Sequence, residues 1–267
     1  MIRLVALDLD GTLLDPNSKV SDENAAAVRE ATARGVHIVL CTARWYGVAM
    51  RTAGRLELTA PLICHSGSHI REPNDGVELL HLRVPEVAAR EIAAFCDDLG
   101  CETYTTIDGV TYMRTRWEAQ IDPERLPNDM RLARTHAEYV TGPVTGFVVF
   151  GEEAVRGLLE TFGERYEKEL AFPIGSGDST QTYVTITGAG SDKGRALRLV
   201  AKHLNVPPNE AMAVGDAQPD VDMFEVAGIG VAMGNASDEV KERADAVAPS
   251  NAESGVAWAI RKFVLDA

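Results

Sequence analysis

The sequence contains no run of about eighteen apolar residues, the minimum for a membrane-spanning helix. Its N-terminal apolar stretch is stopped by Asp8, too early for a secretory signal. Positive charge is also in short supply. Lys and Arg number 26 against 40 Asp and Glu, a formal net charge of −14. A nucleic-acid partner would require a basic footprint, and so would an anionic membrane surface, so neither is expected. Cys41, Cys64, Cys96 and Cys101 form no CxxC pair and no cluster with histidine. Cys41 and Cys64 each end an apolar run, as buried reduced thiols do. There is no internal repeat and no low-complexity linker. These absences predict a reduced, cytoplasmic, soluble protein, and a monomer or homodimer is expected. An acidic chain of this kind binds anions only where lysine and a metal ion reverse the local field.

A length of 267 residues allows one large α/β domain or two modest ones. Leu4 to Leu9 is a short apolar run interrupted by Asp8, the pattern of a buried parallel strand. Ser21 reads as a helix N-cap, with Asp22 and Glu23 in the first turn and Gly35 as the stop signal. Val36 to Leu40, a helix over 45–58 and a strand over Pro61 to Cys64 follow. Strand, helix, strand, helix, strand predicts a parallel, doubly wound sheet. From about residue 78 the pattern changes. Pro85 opens an amphipathic helix reaching Leu99-Gly100, and Asp108-Gly109 is a two-residue hairpin signal between strands. Residues 115–142 show no period, and a helix is expected from about Glu152 to Lys168. After Thr187 the first pattern resumes. Ser191 is expected to cap a helix to about Asn205, Ala211 to Val214 and Ile229 to Met233 read as strands, and Glu253 to Leu265 as a closing helix. The expected organisation is a core in two halves, 1–80 and 188–267, with an α+β module inserted at 81–187.

Asp8, Thr42 and Asp216 each fall at the C-terminal end of an expected parallel strand. In open α/β sheets ligands bind in the crevice outside those ends, so residues far apart in sequence could converge there. Asp8 and Asp10 flank Leu9, and Gly11-Thr12 follows. Carboxylates this close at a strand end repel each other and ionise together comfortably only with a cation present, and hard oxygen ligands favour magnesium. The same five residues could also be an acidic turn in which Asp-Gly merely reverses the chain, a less favoured reading. Lys193 lies in the first turn of its helix, where a positive charge opposes the dipole but suits a bound anion. It could also be a solvated surface lysine. Asp220 could join Asp216 in the site or cap the next helix, and Asp222 could belong with them or face solvent. Thr42 could donate its hydroxyl to a phosphoryl oxygen, cap a helix, or do both.

Together these residues resemble the haloacid dehalogenase-like phosphatase superfamily. Asp8-Leu9-Asp10-Gly11-Thr12 is similar to its first motif, Thr42 to its second, Lys193 to its third and Gly215-Asp216-Ala217-Gln218-Pro219-Asp220 to its fourth. Leu40 to Arg44, Ser191 to Leu197 and Val231 to Ala236 resemble the Cof-type, sugar-phosphatase-like branch. The resemblance implies a Rossmann-like doubly wound core with a cap inserted between the second and third motifs. It implies Asp8 as nucleophile, Asp10 as general acid and then base, and Thr42 and Lys193 on the phosphoryl oxygens. Magnesium would sit on Asp8, the Asp10 backbone carbonyl and Asp216, supported by Asp220. Three positions depart from the branch pattern: Pro219 stands for an asparagine, Ala43 for a glycine, and His65-Ser66-Gly67-Ser68 for Asn-Gly-Ala.

A magnesium-dependent phosphatase acting on small phosphorylated metabolites, sugar phosphates by resemblance, is the leading expectation. Asp10 favours phosphoryl transfer over dehalogenation, which has no leaving oxygen to protonate. A phosphomutase of the phosphomannomutase type is one alternative. A phosphometabolite-binding or regulatory protein that has lost turnover is the other.

Overall fold

The computed structural model describes residues 1–176 and 182–266. The chain divides into two compact units, Met1–Leu79 with Asp192–Ala267, and Leu80–Ser191.

The first unit opens with β1 (Leu4–Leu7), α1 (Asp22–Ala33), β2 (His37–Leu40) and α2 (Tyr46–Arg55). The apolar run at the N-terminus stops being strand at Asp8, where the backbone leaves the ladder after the Asp8 N–H donates to Val214 O. Ser21 caps α1 by accepting from the Asn24 N–H, and Gly35 ends it at a φ of +82°. After α2 come β3 (Leu62–Cys64) and β4 (His69–Arg71), and the chain leaves the unit along β5 (Glu78–His81). β3 joins β2 through one parallel bridge, Cys41 with Ile63, and otherwise pairs antiparallel with β4. Its expected place in the parallel sheet is therefore only partly realised, because the turn at His65–Gly67 sends the chain straight back.

The second unit contains α3 (Glu86–Leu99), the hairpin β6 (Thr103–Ile107) and β7 (Val110–Arg114), β8 (Met130–Leu132), β9 (Gly146–Phe150) and α4 (Glu152–Leu158). β10 (Leu170–Ala171), β11 (Ile174–Ser176) and β12 (Thr182–Gly188) complete it. Asp108 and Gly109 both take positive φ, as the two-residue hairpin requires. The sheet order is β10-β12-β9-β6-β7-β8, with β11 also on β12. One face, carrying Ile107, Phe147, Val149, Val184 and Ile186, packs on the alanine-rich side of α3 and on Ala154, Val155 and Leu158 of α4. The helix expected to reach Lys168 is α only to Leu158. It widens into a π turn over Leu159–Gly163 and continues as turns, so β10 begins at Leu170.

The chain then re-enters the first unit with α5 (Lys193–His203), β13 (Ala211–Gly215), α6 (Val221–Phe224), β14 (Ile229–Ala232), α7 (Asp238–Lys241), β15 (Ala246–Val247) and α8 (Gly255–Ile260). The N-cap of α5 is Asp192, not Ser191: its carboxylate accepts from the Arg195 N–H at 2.6 Å, which puts Lys193 at the first helical position. The parallel sheet runs β15-β14-β13-β1-β2. Val5, Leu7, Ile38, Leu40, Met212 and Val214 bury one face against α1, α2 and α8. β1 and β13 are buried along their whole length, which explains their uninterrupted apolar sequence. No helix among the described residues is long and apolar enough to cross a membrane.

Candidate active site

The strand order places the ends of β1, β2 and β13 side by side, so Asp8, Thr42 and Asp216 emerge from adjacent strands. Beyond Leu7 the chain turns through Leu9–Leu13, with Gly11 at a φ of +76°. A Cβ on Gly11 would lie 2.2 Å from Asp216 Oδ2, so the glycine is required both by conformation and by the approach of that carboxylate. Thr12 Oγ1 donates to Asp216 Oδ1 at 2.9 Å, tying the loop after β1 to the loop after β13.

Lys193 sits in the middle. Its Nζ donates to Asp8 Oδ1 at 2.7 Å and to Asp220 Oδ1 at 2.6 Å, and all three side chains are almost fully buried. The remaining oxygen of Asp220 accepts from the Asp216 and Ala217 N–H groups, both at 3.0 Å. Asp220 is thus a brace with both oxygens occupied. Gly215 makes room for it, since a Cβ there would meet the Asp220 side chain at 2.3 Å. Pro219 falls within the first turn of the short 3-10 helix Gln218–Asp220, where its missing N–H has no partner to lose.

Among the described residues, no hydrogen bond is made to Asp8 Oδ2 or Asp216 Oδ2. The oxygens that Asp8, Asp216 and Asp220 offer lie within 4.8 Å of one another. Burial pushes the Asp8 carboxyl well above the usual range; Lys193 pulls it down, and the Asp220, Asp216 and Asp10 carboxylates push it up again. Burial raises Asp216 to about 7, with Asp220 adding to the rise. Burial alone would lower the Lys193 ammonium, but Asp220 and Asp8 hold it well above its ordinary value. The cluster holds more negative charge than one lysine offsets. Two buried hard oxygens with no other partner fit a divalent cation such as magnesium.

Thr42 is fully buried. Its Oγ1 accepts from the Arg44 N–H at 3.1 Å, and its carbonyl accepts from the Ser66 N–H. With its oxygen used as an acceptor, the hydroxyl hydrogen is left to donate elsewhere. Ala43 is not among the residues with positive φ, so the glycine common at this position is not needed for backbone freedom. By contrast, His65, Ser66 and Gly67 take successive φ values of +47°, +54° and +98°. Backbone strain of this sort persists where the surroundings over-determine it. A Cβ on Gly67 would lie 2.3 Å from Asp192 O, so this turn also seats the start of α5.

Sequence reading missed two features. Asp10 does not stand alone: Arg44 Nε donates to its Oδ2 at 2.7 Å, and Arg44 Nη2 bonds its Oδ1. The first loop is also carried by side-chain amides. Asn235 Nδ2 donates to Gly11 O at 2.8 Å, Asn24 Nδ2 to Leu13 O at 3.3 Å and Asn251 Nδ2 to Leu14 O at 2.8 Å. Arg44 and Asn235 both lie in the stretches that carry the family resemblance, which was the available signal. Asn24 and Asn251 carry no such signal.

A family model described as haloacid dehalogenase-like hydrolase matches residues 5–260. The chain is 33% identical over 267 residues to a 5-amino-6-(5-phospho-D-ribitylamino)uracil phosphatase of Bacillus subtilis, covering 99% of this chain and 96% of that protein. It is 26% identical over 273 residues to a pyridoxal phosphate phosphatase of Escherichia coli, covering 98% and 99%. A solved haloacid dehalogenase-like hydrolase from B. subtilis superposes with a TM-score of 0.82 at 26% identity, covering 98% of this chain and all of that one. The chain belongs to the haloacid dehalogenase-like hydrolases, as a phosphatase of their Cof-type branch with a Rossmann-like α/β core.

Proposed function

We propose that this phosphatase is magnesium-dependent and hydrolyses small phosphorylated metabolites, most of all phosphate esters of sugars and sugar-like polyols, through an aspartyl-phosphate on Asp8. The observation that carries the proposal is the Asp8 carboxylate, with one oxygen bonded to the buried Lys193 ammonium and the other without a partner. Fixing one oxygen orients the nucleophile and leaves the second to attack phosphorus. Asp10 gives a proton to the departing ester oxygen as the P–O bond breaks. In the second half-reaction it takes a proton from the water that attacks the acyl phosphate, restoring Asp8. Thr42 and Lys193 donate to the phosphoryl oxygens. Asp8, the Asp10 backbone carbonyl and Asp216 would hold magnesium, with Asp220 bracing Lys193 and the Asp216 backbone. When bound, the cation neutralises charge on the transferring phosphoryl group.

The polyol preference is supported by the B. subtilis relative, whose substrate carries its phosphate on a ribityl chain. The test is phosphate release from hexose phosphates, polyol phosphates, pyridoxal phosphate and aryl phosphates, with magnesium and with chelator, for the native protein and Asp8→Asn. Release is expected only with magnesium, and the variant should fall by about a thousandfold or more. Unchanged turnover in Asp8→Asn would remove the nucleophile, and an unchanged rate in chelator would remove the cation. Return of the phosphoryl group to substrate without release would favour a phosphomutase.

A further inference from the structure

Arg44 and Asp10 come from two different loops, 34 positions apart, and meet as a two-point fork. The Arg44 side chain is 31% exposed and the Asp10 side chain 35%. An ion pair this open to water contributes little to stability, so holding two side chains from separate loops in one geometry needs another reason. The backbone of Arg44 is held from both sides. Its N–H is bonded to Thr42 Oγ1 at 3.1 Å, and its carbonyl accepts from the His65 N–H at 3.0 Å. His65 begins the left-handed turn through Gly67, so a costly backbone conformation is used to hold the loop that carries Arg44.

We propose that Arg44 is a positioning residue whose guanidinium fork fixes the plane of the Asp10 carboxylate for proton transfer. The inference rests on the reading of Asp10 as general acid and base. A planar fork meeting a planar carboxylate sets orientation as well as distance, which a lysine could not do. Each carboxylate oxygen has room for about two hydrogen bonds, and Arg44 takes one on each. The fork therefore orients Asp10 without filling it, and the lone pair left on each oxygen can exchange a proton with the leaving group or the attacking water. No other side-chain hydrogen bond is made to Asp10 among the described residues.

The test uses the full-length protein with two probes. The phenolate of p-nitrophenyl phosphate departs without a proton, whereas that of phenyl phosphate departs poorly without one. Arg44→Ala should lower kcat/KM, which reports the first half-reaction alone, by about 30- to 100-fold on phenyl phosphate and by less than about fivefold on p-nitrophenyl phosphate, while kcat falls on both wherever the shared second half-reaction limits turnover. In an Asp10→Asn background the same substitution should cost less than about threefold. Millimolar guanidinium should restore part of the Arg44→Ala rate and none of the double variant's, and Arg44→Lys should remain impaired. Equal losses of kcat/KM on both probes, or a full loss in the Asp10→Asn background, would overturn the proposal, since Arg44 would then act on substrate directly or on folding. An impaired Asp10→Asn beside an unimpaired Arg44→Ala would overturn this inference alone. An unimpaired Asp10→Asn would overturn the reading of Asp10, and this inference with it.

Discussion

The two units bury polar groups in opposite ways. In the first, Asp8, Lys193 and Asp220 are the fully charged side-chain types found buried anywhere among the described residues. In the second the buried polar side chains are neutral: a set of threonines and His136, whose Nδ1 is hydrogen-bonded to Thr105 Oγ1 at 2.9 Å. Removing charge from water is expensive, and a paired buried charge is no stabiliser compared with apolar packing. The first unit carries that cost at the ends of its parallel strands, where charge can act on a phosphoryl group. The second unit keeps His136 neutral, because burial pushes its imidazole down to about 4 with Arg114 adding to the fall and Asp97 opposing it.

The comparison can be broken most severely at Lys193. Lys193→Met leaves Asp8 and Asp220 buried without a counter-charge and should cost about 3–5 kcal/mol in urea unfolding near neutral pH, together with turnover. Thr105→Val in the second unit should cost only about 1–2 kcal/mol. Equal losses would mean that the buried charges are not what distinguishes the first unit.

A smaller effect separates the units by pH. The unfolded chain takes up a proton on His136 near pH 6.5, whereas the folded chain waits until about 4. Stability from this residue is therefore present above the unfolded pKa and lost as pH falls. Between pH 7 and 5 the loss should be about 2 kcal/mol, and His136→Gln should remove that slope from the urea midpoint. An identical slope in the variant would show that other groups carry it.

The mildest probe is thiol reactivity. Cys41 and Cys64 are fully buried and their thiols are pushed up by burial. Cys101 is half-buried, and a hydrogen bond with Cys96, followed by contacts to Thr103 and Arg114, lowers its thiol to about 7 against opposing burial. Brief iodoacetamide treatment of the native protein should alkylate Cys101 first, as read by peptide mass. Labelling of Cys41 before Cys101 would mean that the first unit opens more readily than its packing implies.

Much of the fold was legible because short-range physics agreed with the final packing. The Ser21 cap, the Gly35 and Gly100 stops and the Asp108-Gly109 hairpin are local devices, and each stands where its chemistry demands. The shift of the α5 cap from Ser191 to Asp192 reflects two adjacent residues that can both cap, of which the carboxylate reaches the Arg195 N–H. The helix after Glu152 is α only to Leu158, passes through a π turn at Leu159–Gly163, and is followed at Leu170 and Ala171 by pairing with β12. At the site, Asp8, Thr42, Lys193 and Asp216 could be selected by residue type and position. The fork between Arg44 and Asp10 and the amides of Asn24 and Asn251 could not, because arginine and asparagine are ordinary surface residues until a partner is named.

Local patterns and motif spacing carried most of the first unit's strands and helices, the family resemblance and the set of chemically competent side chains, but not β4, β8 or the turns within 115–142. Tertiary structure alone decided which side chains meet. It placed Lys193 between Asp8 and Asp220, left one oxygen each of Asp8 and Asp216 without a partner, and turned Arg44 onto Asp10. The physical reason is that hydrogen bonds and charge pairing are decided within about 3 Å, between groups that the chain separates by tens or hundreds of residues.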